Sequence, residues 1–303
     1  MAEDVEIIDG HCHLWKLEVA QRFWLTAEFG PIFRSFTPVD LLRDSRECRV
    51  KSCVLIESGK TMEEHETMLQ MVASSRLIGA IAPYVDLGSA TLEQELDLLQ
   101  RNPKFRAVRT RFESHPDPDI LTRPDIIEGL RIVARRGVMF EFLVRARHLK
   151  DILKIYESVP DLKGVIEHMA KPDMRTGTDH AEWQSSMRTL ATHTTVACKL
   201  SLSPRIEDLA DICRAPGTGW QAELVKPYVG SLLEWFGPDR LMWGSDWPVS
   251  LLTSNYAQTL DAMRSAIGPL DKSEKGKIFR KTAMEFYKLT DDEDPGCATP
   301  SRA

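Results

Sequence analysis

Two histidines one residue apart follow the first apolar segment of the chain, in residues 7–13 (IIDGHCH). Because the side chains of a strand point alternately to opposite faces, Asp9, His11 and His13 share one face. A second apolar segment far along the chain, residues 241–246 (LMWGSD), also ends on an aspartate. Imidazoles and carboxylates are groups that bind a metal ion or activate a water molecule. The spacing therefore predicts a hydrolytic or metal-binding site where these two segments end.

Three other apolar segments carry side chains of similar chemical types. His168 follows residues 164–166 (GVI), and Glu141 lies inside residues 138–144 (VMFEFLV). A lone carboxylate in so apolar a run is costly to bury unless it is paired or ligated. Two interpretations of Glu141 stay open, a direct role as a ligand and an ion pair with a neighbouring arginine. Arg109 ends a further apolar segment, where it could clamp a carboxylate or carbonyl of a substrate.

The elements that must position these groups are eight apolar segments with helical patterns between them. Helix starts are predicted after Thr37, Thr61 and Ser89, and a helix is predicted between Pro124 and Gly137. This alternation predicts a (β/α)8 TIM barrel, although an open doubly wound sheet has the same local pattern. In a barrel, catalytic groups gather where the strands end. The segments are residues 5–13, 51–57, 77–85, 105–112, 138–144, 164–168, 195–201 and 240–246.

The composition of the chain is that of an ordinary globular protein, with 43% hydrophobic and 28% charged residues among 303. A net charge of -6 argues against nucleic acid or an anionic membrane as the main partner. The six scattered cysteines indicate reduced thiols, and we expect a cytoplasmic protein. We predict a single domain over residues 1–289 and a disordered tail over residues 290–303. The composition leaves homo-oligomerisation open.

Several segments carry a resemblance to a known family. Residues 8–15 (IDGHCHLW) and 240–248 (RLMWGSDWP) resemble segments of the amidohydrolase superfamily, in its L-fuconolactonase-like branch of lactone hydrolases. Residues 105–109 (FRAVR), 167–172 (EHMAKP) and 226–229 (KPYV) extend the resemblance, in order, over nearly the whole chain. The resemblance implies a TIM barrel of the metal-dependent-hydrolase type that opens a small polar lactone, sugar-derived or muconate-type.

The resemblance also implies roles for individual residues. It places His11, His13, His168 and Asp246 on catalytic positions and Arg109 on a substrate-side arginine. Asp246 would act as general base and then acid. One divalent ion, Zn or Mn, would bind His11, His13 and His168, with Glu141 as a further ligand. Metal-free catalysis stays open, with His168 and Arg109 binding the oxyanion.

Supporting roles are predicted for residues beside these groups. Asp9 would orient a histidine ring from the same strand face. Lys171, Trp15 and Trp247 are candidate substrate contacts, for which a surface lysine and aromatic core packing are the alternatives. Thr110 stands where relatives often have a histidine, which predicts a wider pocket and a preferred lactone other than L-fuconolactone.

Two other functions stay open at this level. A metal-dependent decarboxylase of the same superfamily would also use a His-x-His pair and a distant aspartate. A catalytically silent barrel that binds a metabolite would have no need for the four polar groups where the strands end. The residues 195–201 supply no histidine, so a two-metal site is not expected.

Overall fold

Eight short parallel strands form the centre of the protein in the computed structural model, which describes residues 5–203 and 222–290. Each of the eight apolar segments contains one strand, so this prediction is confirmed. Residues 291–303, most of the predicted tail, lie outside the described residues. The strands are β1 Ile7–Cys12, β2 Val50–Ile56, β3 Ile78–Ala82, β4 Ala107–Arg111, β5 Met139–Leu143, β6 Gly164–Ile166, β7 Ala197–Leu200 and β8 Leu241–Trp243.

The strands are arranged in two parallel sheets, β1–β2–β3 and β4–β5–β6–β7–β8. Isolated parallel bridges join the sheets at both edges. Ile81 of β3 pairs with Phe105 just before β4, and Cys12 of β1 pairs with Trp247 just after β8. The strands therefore follow one another in sequence order around a ring. The predicted (β/α)8 barrel is confirmed, and the open doubly wound sheet is wrong.

Helices between the strands cover the outside of the ring. Apolar side chains on both faces of the strands are buried, one set against the helices and a smaller set inside the ring. In the described part of the chain, no helix is long and apolar enough to cross a membrane. The helices are α1 Leu17–Ala20, α2 Pro38–Ser45, α3 Met62–Ser74, α4 Leu92–Leu99, α5 Pro124–Arg135, α6 Leu149–Ser158, α7 His180–His193, α8 Ala222–Phe236, α9 Tyr256–Ile267, α10 Lys272–Gly276 and α11 Thr282–Tyr287.

Local side-chain chemistry explains where three of these helices begin. Thr37 is the N-cap of α2, as predicted, and it also forms a reciprocal capping box with Asp40 that was not predicted. At α3 the Thr61 hydroxyl accepts the Glu64 backbone N–H. The Glu64 side chain instead accepts the backbone N–H of Ser58, so only half of the expected capping box forms. The helix between Pro124 and Gly137 is confirmed as α5.

The start of α4 differs from the prediction. The helix begins at Leu92, and the Ser89 hydroxyl accepts the backbone N–H of Thr91 outside the helix. Ser89 therefore shapes the preceding turn and is not the N-cap. A serine two or three residues ahead of a helix satisfies its hydrogen-bonding potential equally well in such a turn, so the pattern alone did not fix the first residue.

Candidate active site

A cavity of about 330 Å³ lies where the strands end, as the barrel prediction requires. Five residues predicted to be functional line it, namely His13, Arg109, His168, Lys171 and Asp246. Polar and apolar side chains from strand ends and from the segments between strands and helices complete its wall. These are Trp24, Phe29, Ser58, Arg111, Glu113, Leu143, Ser203, Val249 and Leu252.

The two histidines at the end of β1 meet the aspartate that follows β8. The Nε2 atoms of His11 and His13 lie 3.1 Å apart. Asp246 Oδ1 is 3.6 Å from His11 Nε2 and 3.3 Å from His13 Nε2. The His13 Nδ1 atom is 3.0 Å from the Ile56 carbonyl oxygen, a contact that orients the ring with Nε2 towards Asp246. The predicted convergence of these three side chains is confirmed.

Asp246 is a buried carboxylate with one free oxygen. Its Oδ2 atom is buried and has no hydrogen-bond partner among the described residues. Its backbone adopts the left-handed conformation (φ +53°), and its N–H donates to the His11 carbonyl at 2.9 Å. Burial raises the pKa of Asp246, but His168 and a hydrogen bond with His13 lower it further, to about 2. The carboxylate is therefore ionised at neutral pH and free to accept a proton or bind a cation.

Asp9 joins the end of β1 to the loop after β8. Its Oδ1 atom accepts the backbone N–H groups of His11 at 3.0 Å and Ser245 at 2.9 Å. Its Oδ2 atom accepts the hydroxyls of Ser245 at 2.6 Å and Tyr256 at 2.7 Å. The expected contact of Asp9 with a histidine ring is wrong. Asp9 positions His11 through the main chain, and both of its oxygens are satisfied.

A left-handed turn directs His168 and Lys171 into the cavity. Four successive residues, 168–171, have positive φ between +46° and +62°, which is costly for residues other than glycine. The Trp183 indole N–H donates to the Met169 carbonyl at 2.7 Å within this turn. His168 Nδ1 lies 2.8 Å from the Ser201 hydroxyl. Both side chains line the cavity. In a strand continuing past β6 they would point to opposite faces, because residues 168 and 171 are three apart.

Lys171 is an ion-paired residue rather than the surface lysine of the alternative interpretation. Its Nζ atom lies 2.8 Å from Glu113 Oε2, and both side chains are almost completely buried. Burial raises the pKa of Glu113, but the Lys171 charge and hydrogen bond lower it overall. The pair therefore stands as ammonium and carboxylate in the cavity wall.

Glu141 lies in the barrel interior and is not placed to bind a metal. Its Oε2 atom is 2.7 Å from Lys199 Nζ, and its Oε1 atom accepts the Tyr287 hydroxyl at 2.5 Å. The predicted ligand role is therefore wrong, and the ion-pair interpretation is right with a lysine instead of an arginine. Lys199 also lies 3.2 Å from His11 Nδ1. Sequence reasoning missed this fully buried lysine, although it stands in an apolar strand just as Glu141 does.

Arg109 is bonded through all three of its nitrogens. Nε and Nη2 donate to the Oε1 atom (2.8 Å) and the carbonyl oxygen (2.6 Å) of Glu57, and Nη1 donates to Glu167 Oε2 at 3.0 Å. Arg111 also donates to Glu57, through Nε at 2.7 Å and Nη2 at 2.6 Å. The expected substrate clamp at Arg109 needs correction, because its donors are already used within the protein. Sequence reasoning missed Glu57 and Glu167, which directly follow buried strands.

The two buried carboxylates of this network differ in pKa. Burial raises the pKa of Glu57, but the charges of Arg109 and Arg111 lower it to about 2. Burial raises the pKa of Glu167 as well, and Glu141 raises it further against the opposing charge of Arg109, giving about 7. Glu57 is therefore the permanent anion that holds the two arginines.

Two predicted aromatic contacts lie in the core. Trp15 donates its indole N–H to the Arg34 carbonyl at 2.7 Å, and Trp247 donates to Asp44 at 3.2 Å. Neither side chain lines the cavity, so the expected substrate contacts at Trp15 and Trp247 are wrong and the core-packing alternative is right. The tryptophan that lines the cavity is Trp24.

Thr110 also lies outside the cavity. Its hydroxyl donates to the Val85 carbonyl at 2.7 Å on the strand face opposite Arg109. The wider pocket expected from this residue is therefore wrong, and the argument for a preference against L-fuconolactone loses its basis.

The sequence of the chain is similar to that of a known protein family. The family model described as Amidohydrolase matches residues 8–289. This chain belongs to the amidohydrolase family. It is 30% identical to the L-fucono-1,5-lactonase of Burkholderia ambifaria over 93% of the chain and 95% of that protein. A second L-fucono-1,5-lactonase, from Burkholderia multivorans, is 26% identical over 95% of the chain and 97% of that protein.

A solved structure shares the barrel of this amidohydrolase. It is an amidohydrolase from Burkholderia multivorans with bound zinc, with a TM-score of 0.82 and 26% identity. The similarity covers 94% of this chain and 100% of the Burkholderia multivorans chain. The barrel and the order of its strands are therefore those of the family.

The donor set of this amidohydrolase fits a divalent cation. Ligand atoms of His11, His13 and Asp246 lie within 4.8 Å of one another, as do those of His11, Glu167 and His168. Burial lowers the pKa values of His11 and His168, with Lys199 adding to the effect at His11, so both imidazoles are neutral as ligation requires. Asp246 Oδ1, which lies 3.6 and 3.3 Å from the Nε2 atoms of His11 and His13, gives the first group its carboxylate donor and leaves Oδ2 to accept a proton.

We expect protein purified without chelator to contain close to one Zn or Mn ion per chain by elemental analysis. The double substitution His11→Ala and His13→Ala should remove the ion, because it deletes two of three donors in the first group. His193→Ala is the matched control, since His193 is exposed on α7 and its Nδ1 atom lies 3.0 Å from the Thr189 carbonyl oxygen of the same helix. Unchanged metal content in the double variant would contradict the assignment.

Proposed function

We propose that this amidohydrolase opens a small, polar, sugar-derived or muconate-type lactone with a water molecule that Asp246 activates. The single observation that carries the proposal is the free Oδ2 atom of Asp246, buried beside two imidazoles in the cavity where the strands end. Both relatives described above are named for lactone hydrolysis, which favours that reaction over decarboxylation and over a catalytically silent barrel.

The reaction requires a proton acceptor and later a proton donor at the same place. Asp246 Oδ2 accepts a proton from water while the water oxygen attacks the lactone carbonyl. The bond from the acyl carbon to the ring oxygen then breaks, and Asp246 returns the proton to the departing ring oxygen. The product is a hydroxy acid, which ionises at neutral pH and releases one proton to the solution.

The neighbouring groups support this cycle. A carboxylate with a pKa of about 2 is a weak base, so the water itself must be acidified. A divalent ion on His11, His13 and Asp246 would supply that acidification and polarise the carbonyl. His168 lines the same cavity, where it can donate a hydrogen bond to the oxyanion once Nε2 carries the proton.

The cavity walls suit a compact ring with polar substituents. Trp24, Phe29 and Leu252 give an apolar surface that can cover the C–H face of a sugar-derived ring. Lys171, Arg111 and Ser58 give polar contacts elsewhere in the wall.

We place the enzyme in the cytoplasm, which the free thiols of the described cysteines support. It stays a prediction that nucleic acid is not a partner and that the chain forms a single domain. Homo-oligomerisation stays open.

A screen of aldonolactones by pH-indicator assay tests the proposal, with added Zn²⁺ or Mn²⁺ and after chelation. We expect acid release on at least one polyhydroxylated lactone, well above the uncatalysed rate. L-Fuconolactone belongs in the panel because it is named in both relatives. Failure to hydrolyse any lactone under all three conditions would overturn the proposal.

A further inference from the structure

We propose that Arg111 is the arginine that contacts the substrate, and that it determines specificity by binding a hydroxyl oxygen on the lactone ring. The inference rests on the proposed lactone hydrolysis and adds to it a recognition group for the substrate. Family resemblance points instead to Arg109, so the two arginines of β4 have to be distinguished by their contacts.

Strand geometry brings both arginines to the same face. Residues 109 and 111 are two apart on β4, and both side chains reach the carboxylate of Glu57 at the end of β2. Arg111 uses Nε and Nη2 for the two oxygens of Glu57, at 2.7 and 2.6 Å. This two-point contact fixes the plane of the guanidinium. Arg111 is therefore a rigid donor before any substrate arrives.

The two arginines differ in the number of N–H groups that are free to bind a substrate. Arg109 is only 3% exposed, and its three nitrogens donate to Glu57 and Glu167. The Arg111 side chain is 19% exposed and lines the cavity. Its Nη1 atom has no hydrogen-bond partner in the part of the chain that the structure describes. Of the two arginines, Arg111 therefore has N–H groups available for a substrate. Arg109 instead links the carboxylates of Glu57 and Glu167.

The position of Arg111 indicates which part of the substrate it meets. β4 and β8 lie on opposite sides of an eight-stranded ring, so Arg111 faces the cavity from across the barrel to Asp246. A lactone whose carbonyl lies at Asp246 directs its ring substituents towards Arg111. The contact therefore supports binding of the ring and leaves the reacting bond to Asp246.

The charge of the cavity favours an uncharged oxygen at this point. Among the described residues of this region, the cations Arg109, Arg111 and Lys171 are paired with carboxylates of Glu57, Glu167 and Glu113. The Asp246 carboxylate adds a further negative charge. Each of these three cations has a carboxylate oxygen within 3.0 Å, so the described wall beside Arg111 offers no unpaired cation to select an anion, and a hydroxyl group of a polyhydroxylated lactone is the better partner.

The experiment compares two substrates in Arg111→Met. On an aldonolactone, kcat/KM should fall by about tenfold or more, mainly through KM, because a charged hydrogen bond to the bound ring is lost. On δ-valerolactone, which lacks hydroxyl substituents, kcat/KM should stay within about twofold of the wild-type value, since that contact is never made. Arg106→Met is the matched control, because the Arg106 guanidinium donates to main-chain carbonyls outside the cavity.

The substitution is designed so that the fold survives. Glu57 keeps its ion pair with Arg109 when Arg111 is lost, so no buried carboxylate is left alone. Arg111→Lys retains the charge and provides a second variant, in which aldonolactone selectivity should fall less than in Arg111→Met. Equal losses on both lactones, or no loss on either, would overturn the role of Arg111. Wild-type protein inactive on every lactone would instead overturn the proposed function and this inference with it.

Discussion

Asp246→Asn is expected to lower kcat by about a hundredfold or more, in line with the loss of a general base. The amide cannot accept a proton from water, yet it has nearly the same shape as the carboxylate. The free Oδ2 atom means that no hydrogen bond of the folded protein depends on that oxygen. Steady-state kinetics on the best lactone of the panel, together with thermal unfolding, would measure both effects.

The matched control for this substitution is Asp261→Asn on α9. That side chain is 72% exposed and lies 3.5 Å from Arg264 on the same helix, so activity should stay close to wild type. An Asp246→Asn enzyme that keeps more than half of the wild-type kcat would remove Asp246 from the mechanism. A large loss of thermal stability in that variant would contradict the assignment of Oδ2 as a free oxygen.

Lys199→Met is expected to reduce the free energy of unfolding by roughly 3–5 kcal/mol, the usual cost of removing one partner of a buried ion pair. The substitution leaves Glu141 in the barrel interior with only the Tyr287 hydroxyl. Urea unfolding followed by circular dichroism would give the change.

The double variant Lys199→Met with Glu141→Gln separates the ion pair from simple packing. Removing both charges leaves no unpaired carboxylate, and the glutamine oxygen can still accept from Tyr287. We expect this variant to be more stable than Lys199→Met by about 1 kcal/mol or more. If the second substitution made the protein less stable instead, Lys199 would stabilise the barrel through its side-chain volume and not through its charge.

The strand segments and the central chemistry could be predicted from local sequence. Each buried strand is a short run of apolar residues, and a barrel brings the groups that follow such runs to one end. His11, His13 and Asp246 meet for that reason. The position of His168 agrees as well, although the left-handed turn that directs it into the cavity gave no pattern in the sequence.

The network around Arg109 could not be predicted in the same way. Its partners Glu57 and Glu167 directly follow β2 and β6, and their contacts depend on side-chain directions that no local pattern encodes. Trp15 and Trp247 show the same limit, because residues near a strand end can point into the cavity or into the core. A test for every charged residue at or inside an apolar strand would have found Glu57, Glu167 and Lys199.

Asp9 also makes closure of the barrel depend on residues near the C-terminal end of the domain. Its carboxylate lies in the first strand, but it is satisfied by Ser245, 236 residues later, and by Tyr256 beyond it. A chain that stops before β8 has made both histidines of the pair, yet it leaves Asp9 as a buried acid without these donors. Such a fragment cannot close the ring without a large cost in desolvation.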